Sequence, residues 1–392
     1  MATISRGIKA PIIREGDDIV SIVCDCVLSA SKEQGFTLRD RDVVAVTEAV
    51  VARAAGNYAT VDAIAEDVRR KLGGNTIGLV FPILSRNRFA ICLRGIARGA
   101  RKVVVQLGYP SDEVGNHLVD IDALDDSGID PYKDVLSVAE FRRHFGTPLH
   151  PFTGVDYISY YTQLIEEEGA EAEIILANRP EAILSYSDKV LCCDTHTRFR
   201  TQRRILAAGA DVCLTLCDIL NAPVNCSGYN EKYGLLGSNK ATEGVVKLFP
   251  NNAQEVAEAI SARLCAATGK RIEAMVYGDG AFKDPVGKIW ELADPVVSPG
   301  FTDGLNGLPN ELKLKYLADN DFANLKGDEL RSAIENAIRK KDADLKGSMA
   351  TQGTTPRRLT DLLGSLCDLT SGSGDKGTPI VLVQGYFENY AD

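Results

Sequence analysis

Several features that would assign a protein class directly are missing from this sequence. No uninterrupted apolar run approaches the roughly 20 residues that cross a bilayer, so we predict no membrane span. The N-terminal segment MATISRGIKAPIIREGDD contains no apolar signal segment, and we therefore expect a cytoplasmic protein. The 10 cysteines include no C-x-x-C pair and lie mostly in apolar stretches such as IVCDCVL. They indicate reduced core thiols rather than a zinc site.

Positive charge is also scarce, because 44 basic side chains stand against 54 acidic ones and give a formal net charge of -10. Nucleic acids and anionic membranes are polyanions that such a surface repels, so we predict neither as a partner. A local basic pocket for a phosphorylated small molecule is compatible with this balance. The remaining composition, 45% hydrophobic and 25% charged, is that of a globular enzyme-sized chain.

The beginning of the chain alternates helical and strand patterns. The acidic segment from Glu15 to Asp18 precedes the apolar-periodic run IVSIVCDCVLSA, which predicts a helix with an acidic N-cap. The β-branched stretch from Asp42 to Thr47 predicts a short strand that turns directly into a helix. The apolar and charged faces from Val61 to Leu72 predict another helix.

The pattern changes in the middle of the chain. From about Arg88 to Tyr229, short apolar runs such as KVVVQL and DVCLT alternate with helical patterns, which predicts an α/β module with parallel strands. The acidic stretch 120–130 within it is predicted to be an exposed loop or linker. We divide the chain into residues 1–87, 88–229 and 230–392, and predict an α+β fold into which the α/β module is inserted.

Four blocks, in this order, resemble the gamma-glutamyl ligases of the deazaflavin coenzyme F-420. They are PIIREGDDIVSIV followed by RDVVAVTEAVVARAAG, then GLLGSNKATEGVVKLFPNN, ATGKRIEAMVYGDG and DLLGSLCDLTSGSGDKGTPIVLVQG. Together with the elements around them they cover a little over half of the chain. Residues 88–229 and much of 283–346 have no counterpart that we recognise in these blocks.

The resemblance implies a two-part ligase fold and the ligation of L-glutamate to a carboxylate, with GTP or ATP and with Mg²⁺ or Mn²⁺. A carboxylate is a poor electrophile, so it must first become an acyl phosphate before the glutamate amine attacks. Phosphoryl transfer of this kind depends on positioning and on neutralising the triphosphate charge. The resemblance also implies a homodimer.

The same resemblance assigns expected roles to single residues. Arg53 stands where the family has a lysine that contacts nucleotide phosphate, and Ser238 and Asn239 match a nucleotide-contacting Ser-Asn pair. Asp279 matches a metal-binding aspartate if one residue is inserted. Glu48 replaces a hydroxyl residue with a carboxylate that can bind metal. Structural alternatives are a solvated helix charge for Arg53 and an Asp-Gly turn for Asp279.

One position of the family pattern is not kept. A second metal-binding aspartate of the family falls at Leu236 or Gly237, neither of which carries a ligand atom in its side chain. Glu231 or Glu243 could supply the missing charge.

A glycine-rich segment near the C-terminus aligns with a family loop that wraps the nucleotide and supplies a metal carboxylate. Backbone amides at Gly372 and Gly374 could cradle phosphate. Asp375 and Lys376 are the candidate side chains, with Asp375 as the metal ligand. A flexible connector of small residues fits the composition equally well.

A third cluster lies in the central module. Asp194, His196 and Arg198 alternate after an apolar strand, so an extended backbone would aim all three side chains the same way. They could bind a phosphate or carboxylate of the substrate. A helix N-cap followed by surface arginines is an equally good interpretation.

Three functions compete on this basis. The first is a nucleotide- and metal-dependent ligase that joins an amino acid, L-glutamate, to a carboxylated small molecule, which could be a deazaflavin, a folate-like compound or another metabolite. The second is a protein that binds nucleotide or metabolite on the same fold without turnover. The third is an enzyme whose site surrounds Asp194 and His196, although that region contains neither G-x-G-x-x-G nor G-x-x-x-x-G-K-[ST].

Overall fold

The fold is known from a computed structural model of the chain. It describes residues 2–151, 153–278, 281–283, 290–292, 297–345, 347–351, 357–372 and 375–392, and the side chains of residues 281–283 and 290–292 are left out. Every structural statement below refers to these described residues.

The described strands follow one another along the whole chain. In chain order they are β1 (Ile4–Ile8), β2 (Val43–Thr47), β3 (Tyr58–Thr60), β4 (Thr76–Val80), β5 (Lys102–Leu107), β6 (Leu136–Ser137), β7 (Glu171–Leu176), β8 (Lys189–Cys192), β9 (Val212–Thr215), β10 (Asn239–Thr242), β11 (Val245–Lys247), β12 (Glu273–Tyr277), β13 (Ala281–Lys283), β14 (Trp290–Leu292), β15 (Gly300–Phe301) and β16 (Ile380–Gln384).

Helices lie between most of these strands. In chain order they are α1 (Ile19–Gln34), α2 (Glu48–Ala54), α3 (Val61–Leu72), α4 (Phe89–Arg98), α5 (Ile121–Asp126), α6 (Val138–Phe145), α7 (Tyr157–Glu167), α8 (Arg198–Ala207), α9 (Ala253–Thr268), α10 (Leu314–Tyr316), α11 (Gly327–Lys340) and α12 (Leu359–Ser371). Short 3-10 segments occur at Pro180–Ser185, Leu216–Asp218, Asp303–Leu305 and Met349–Thr351, and a π-helical turn at Leu317–Asp321.

A five-stranded sheet joins the two ends of the chain, in the order β1-β16-β2-β12-β15. Strands β2 and β12 are parallel, and the other pairs are antiparallel. Both faces are covered, which explains why β2 is a run of apolar residues rather than an alternation. Val44 and Val46 pack in the core that includes residues of α1 and α9, while Val43 and Ala45 pack in the core that includes residues of α12.

The central module forms a six-stranded sheet in the order β6-β7-β5-β4-β8-β9. Strands β4, β5, β7, β8 and β9 are parallel, and β6 adds an antiparallel edge. Counted along the chain, the parallel strands lie in the order 3-2-1-4-5. Successive strands are therefore added on one side of β4 up to β7 and on its other side from β8 onward. The place between β4 and β8 is the switch point at which open α/β sheets form a crevice. The module thus has the predicted parallel strands inside an α+β fold.

A small sheet of β10, β11 and β3 stands between the two large sheets. Its strand β11 pairs with β3, which follows α2 directly, and β10 contacts the start of α4. The backbone N–H of Lys240 in β10 donates to the carbonyl of Asn87, which precedes α4, at 2.8 Å. The small sheet therefore links the five-stranded sheet to the central module.

Most elements predicted from the sequence are confirmed, and two details are corrected. Asp18 caps α1 by accepting the N–H of Ser21 at 3.0 Å. The central sheet already begins with β4, so its first strand lies upstream of the division that we placed after residue 87. The acidic stretch 120–130 contains the short helix α5 rather than only a loop, because Asp120 caps it by accepting two backbone N–H groups.

The contact between α3 and α4 gives a stability test. A Cβ atom added at Gly95 in α4 would lie 2.6 Å from the Cβ atom of Ile64 in α3. We therefore expect Gly95→Ala to lower the free energy of unfolding by about 1–3 kcal/mol, although alanine is the better helix former. Urea-induced unfolding followed by circular dichroism measures the change. A variant as stable as the wild type would contradict this close helix packing.

Candidate functional site

Three distant segments of the chain meet at one edge of the five-stranded sheet. Parallel strands β2 and β12 end together, with Thr47 opposite Tyr277. Strand β16 runs the other way and begins at the same edge, where the N–H of Thr47 donates to the carbonyl of Pro379 at 3.0 Å. The residues after β2, those after β12 and those before β16 therefore lie side by side. Carboxyl ends of parallel strands are a frequent place for ligand sites.

A buried ion pair marks this edge. The ammonium group of Lys247 in β11 contacts the Oε1 atom of Glu48, the first residue of α2. The exposed fractions of the two side chains are 13% and 6%. Removing two charges from water is costly unless they are paired, so each of these groups fixes the position of the other. The pair joins the small sheet to the edge of the five-stranded sheet.

Asn239, Lys247 and Tyr58 form a row across the small sheet. Asn239 lies directly opposite Lys247, and Lys247 lies directly opposite Tyr58. Directly opposed residues of antiparallel strands place their side chains on the same face. An amide, an ammonium group and a phenol therefore stand side by side, with Glu48 bound to the central member.

The charges of Arg53 and Glu15 also act on Tyr58. Burial raises the pKa of Tyr58, the charge of Arg53 acts to lower it, and the charges of Glu15 and Glu48 raise it further. These three charges therefore lie within electrostatic reach of the phenol. Glu15 also packs against Gly56 just after α2, where an added Cβ atom would lie 2.6 Å from its Oε1 atom. Arg53 itself is exposed and can turn toward a ligand.

The model of the F420-0:gamma-glutamyl ligase family matches residues 7–385. The chain belongs to the F420-0:gamma-glutamyl ligase family. It is accordingly a ligase-type enzyme that acts on small molecules, and the matched range encloses the central module that the four sequence blocks left unassigned. A comparison with curated proteins gave no match. No helix of the described chain is long and apolar enough to cross a membrane.

The Ser-Asn pair expected from the ligase family divides between two faces. Ser238 is 3% exposed, and its hydroxyl lies 3.2 Å from the Sγ atom of Cys92. This burial does not fit the predicted nucleotide contact of Ser238, whereas Asn239 faces Lys247. Burial raises the pKa of Cys92 to about 11, so its thiol stays protonated beside Ser238.

The two residues at the position of the missing family aspartate, Leu236 and Gly237, lie against the core. Leu236 is 1% exposed, and an added Cβ atom at Gly237 would lie 2.1 Å from the Phe249 ring. Glu243 is exposed on the turn of the β10–β11 hairpin, where it binds Lys240 at 2.5 Å. Glu231 is exposed as well. Leu236 and Gly237 therefore supply no carboxylate at this family position, and a role for Glu231 or Glu243 stays a prediction.

The glycine-rich segment is only partly described, and two expected site residues, Asp279 and Gly374, lie outside the described residues. Asp375 and Lys376 are exposed, and the Lys376 side chain folds back over Gly372. The carbonyl of Gly377 accepts the N–H of Ala10 at 3.1 Å. The segment therefore ends beside the start of β16, at the same sheet edge as Glu48.

Oxygen atoms at this edge suit the divalent metal ion that the family implies. Hard oxygen ligands suit Mg²⁺ and Mn²⁺, and Glu48, Asn239 and Asp375 belong to elements that reach this edge. Within the described ranges, no group of three or more His, Cys, Asp or Glu side chains is placed to hold a metal. The metal ion therefore stays a prediction.

The third predicted cluster does not converge, because its backbone is not extended. Residues 195–197 form a bend after β8, and α8 begins at Arg198. Asp194 turns inward and is fully buried, and its Oδ2 atom accepts the hydroxyls of Thr197 and Thr201, each at 2.6 Å. His196 points outward and is exposed. The prediction that Asp194, His196 and Arg198 face the same way is wrong.

Sequence reasoning missed Lys247 and Tyr58. Lys247 lies between the buried residues Val246 and Leu248. A single cation in a short apolar strand predicts a side chain that faces away from the core, so this pattern could have indicated Lys247 as a site residue. Its pairing with Glu48 is not readable from the sequence, because it depends on β11 meeting β3.

Proposed function

We propose that this ligase uses GTP or ATP to activate the carboxylate of a small acceptor as an acyl phosphate, which the amine of L-glutamate then attacks. The observation that carries the proposal is the Lys247–Glu48 pair. It lies at the edge where the ends of β2 and β12 and the start of β16 come together.

The positive groups at this edge suit a triphosphate. The ammonium group of Lys247 has three N–H donors, and one of them binds Glu48. Another can therefore donate to a phosphate oxygen. Arg53 offers a planar fork for a second phosphate contact. The amide of Asn239 and the phenol of Tyr58 add neutral donors on the same face. Fixed donors of this kind stabilise the charge that develops during phosphoryl transfer.

Glu48 would repel a bare triphosphate, so its position suggests a metal ligand. A divalent ion held by Glu48, with Asp375 as a candidate second carboxylate, would neutralise the phosphate oxygens. Lys247 would orient the Glu48 carboxylate through the ion pair. Asp279 follows the end of β12 in sequence and stays a predicted ligand.

The central module adjoins this site and would shape the acceptor pocket. It contacts the hairpin of β10 and β11 through the Asn87 carbonyl and through Cys92, which packs on Ser238. We therefore expect the loop before α4, rather than the residues that bind the nucleotide, to determine which acceptor fits. The predicted homodimer, cytoplasmic location and absence of nucleic-acid partners are part of the same proposal.

A complete reaction tests the proposed function. The full chain is mixed with L-glutamate, with GTP or ATP, with Mg²⁺ or Mn²⁺, and with F420-0 or a folate-type carboxylate as acceptor. We expect release of inorganic phosphate that requires both the amino acid and the acceptor, together with an acceptor product heavier by one glutamyl residue in mass spectrometry. The control omits each component in turn.

Two results would contradict the proposal. In the first, nucleotide raises the melting temperature, but no combination of nucleotide, metal, L-glutamate and acceptor releases phosphate or gives product. This result would favour a binding protein without turnover. Phosphate release that is independent of glutamate and acceptor would indicate a nucleotide hydrolase.

A further inference from the structure

The outer face of α8 combines exposed apolar side chains with positive charge. Phe199 and Leu206 are 60% and 46% exposed, and Arg200 and Arg203 are exposed between them. Residues three or four positions apart in a helix are neighbours on its surface, so Phe199, Arg203 and Leu206 form a continuous stripe. Neither arginine takes part in an ion pair among the residues that the structure describes. We call these four residues the arginine face.

A second exposed surface, residues 120–135, carries the opposite charge and contains α5. Six of its residues are aspartates and one is a lysine. Asp125 and Asp126 are exposed, and within the described ranges they form no ion pair. Large apolar side chains are exposed here as well, because Tyr132 is 79% and Ile121 is 51% accessible. We call residues 120–135 the aspartate segment.

The two surfaces lie on opposite sides of the six-stranded sheet. Helix α8 contacts β8 and β9 near one edge, and its Ile205 packs in the same core as Val104 of β5. The aspartate segment leads into β6 at the other edge, and its Leu124 packs in the same core as Val105 of β5. Successive residues of a strand face opposite sides of a sheet, and the four spacings between β6 and β8 span roughly 19 Å. The surfaces therefore do not meet within one chain.

Each surface leaves large apolar side chains in water beside charges of one sign, which is typical of an interaction site. The signs are opposite, so contact between two chains would pair arginines with aspartates and cover the apolar side chains. The net charge of -10 on each chain opposes this contact. Physiological salt screens that repulsion beyond about 8 Å, whereas groups in contact still attract each other. A second copy of the chain therefore fits the arginine face.

We propose that the arginine face of one chain binds the aspartate segment of a second copy. Because each chain carries the two surfaces on opposite sides, the contact is head-to-tail and each copy can bind two neighbours. Such a contact generates rings or open assemblies rather than a closed pair. It is separate from the Lys247–Glu48 edge, does not depend on the proposed reaction, and is additional to the homodimer that the family resemblance implies.

Charge reversal on each surface tests the contact. Sedimentation equilibrium of the full chain, from micromolar to near-millimolar concentration, should show a mean mass that rises with concentration. Arg200→Glu, Arg203→Glu should weaken this association about tenfold or more, because like charges would then face each other. Asp125→Lys, Asp126→Lys should weaken it to the same extent, and lysine is compatible with the last turn of α5.

A chain with all four changes provides the decisive measurement. Both surfaces are then reversed, so their charges are again opposite and we expect the association to return. Lys315→Glu, Lys340→Glu is the matched control, because it makes the same change in net charge at exposed positions outside the central module. We expect this control to change the association by less than about twofold.

Three results would overturn the proposal. They are a wild-type mass that is constant at every concentration, an association that the aspartate variant leaves intact, and a fourfold variant that folds but does not associate. Circular dichroism checks folding. If the charge variants do not fold, Phe199→Ala takes their place and should weaken the association, while Leu308→Ala, at a position 52% exposed outside the module, should not. Binding to vesicles of anionic phospholipid without self-association would assign the arginine face to a membrane instead.

Discussion

Lys247→Met is expected to lower kcat/KM for glutamyl transfer by about a hundredfold or more, the usual cost of removing a fixed donor from a developing charge. The variant loses a phosphate contact and also the buried ion pair with Glu48. Breaking a buried ion pair by removing one member destabilises the fold, so activity loss alone would be ambiguous. Steady-state kinetics with the complete reaction measures the effect.

The double variant Lys247→Met, Glu48→Gln separates the loss of stability from the loss of the site, which contains both residues. It removes both charges, so the melting temperature should return close to the wild-type value while kcat/KM stays low. Lys240→Met is the matched control, because Lys240 lies on the adjacent strand of the hairpin, is exposed, and binds only the surface residue Glu243 among the described ion pairs. We expect it to change kcat/KM by less than about twofold, since surface pairs contribute little. A double variant with wild-type kcat/KM would remove Lys247 from the site.

Local elements were predictable because their signals lie within a few residues. Helix α3 has the predicted bounds, Val61 to Leu72, because Thr60 caps it and Gly73 ends it with a φ of 81°. Strand β5 also has its predicted bounds, from Lys102 to Leu107. In both cases one apolar pattern and its flanking residues are sufficient.

Strand β4 was missed for a physical reason. Its sequence TIGLV is interrupted by Gly78, which weakens the strand pattern. The structure shows why glycine stands there, since an added Cβ atom would lie 2.4 Å from the side chain of Ile183. That close approach joins segments far apart in the sequence, so the start of the central sheet could not be read locally.

The candidate site was predictable only in part. Glu48 and Asp279 could be predicted to lie at the end of a strand, because each follows a strand pattern in the sequence. That β2 and β12 end beside the start of β16 could not, because it depends on strand pairing across the whole chain. The prediction that Asp194, His196 and Arg198 face the same way required an extended backbone. The hydroxyl of Thr197 instead bonds the Asp194 carboxylate and bends the chain into α8.

The second large effect concerns stability and comes from Asp67 in α3, which is completely buried. Its carboxylate accepts Arg70 at 2.5 Å, Lys71 at 2.7 Å and the backbone N–H of Leu220 at 2.7 Å. Leu220 belongs to the segment after β9, so Asp67 ties α3 to the far side of the central sheet. Asp67→Ala leaves that N–H without its acceptor and leaves the partly buried Lys71 with only the neutral acceptors of Asp218 and Asn221, so we expect the free energy of unfolding to fall by about 3–5 kcal/mol.

The neighbouring residue provides the control for Asp67. Glu66 is half exposed and binds Arg69 at 2.9 Å on the outer face of the same helix. Because water replaces such a partner at little cost, Glu66→Ala should change stability by less than about 1 kcal/mol. Urea-induced unfolding compares both variants with the wild type. Equal small losses would mean that Asp67 is exchangeable with a surface carboxylate, and that α3 is held to the sheet by apolar packing alone.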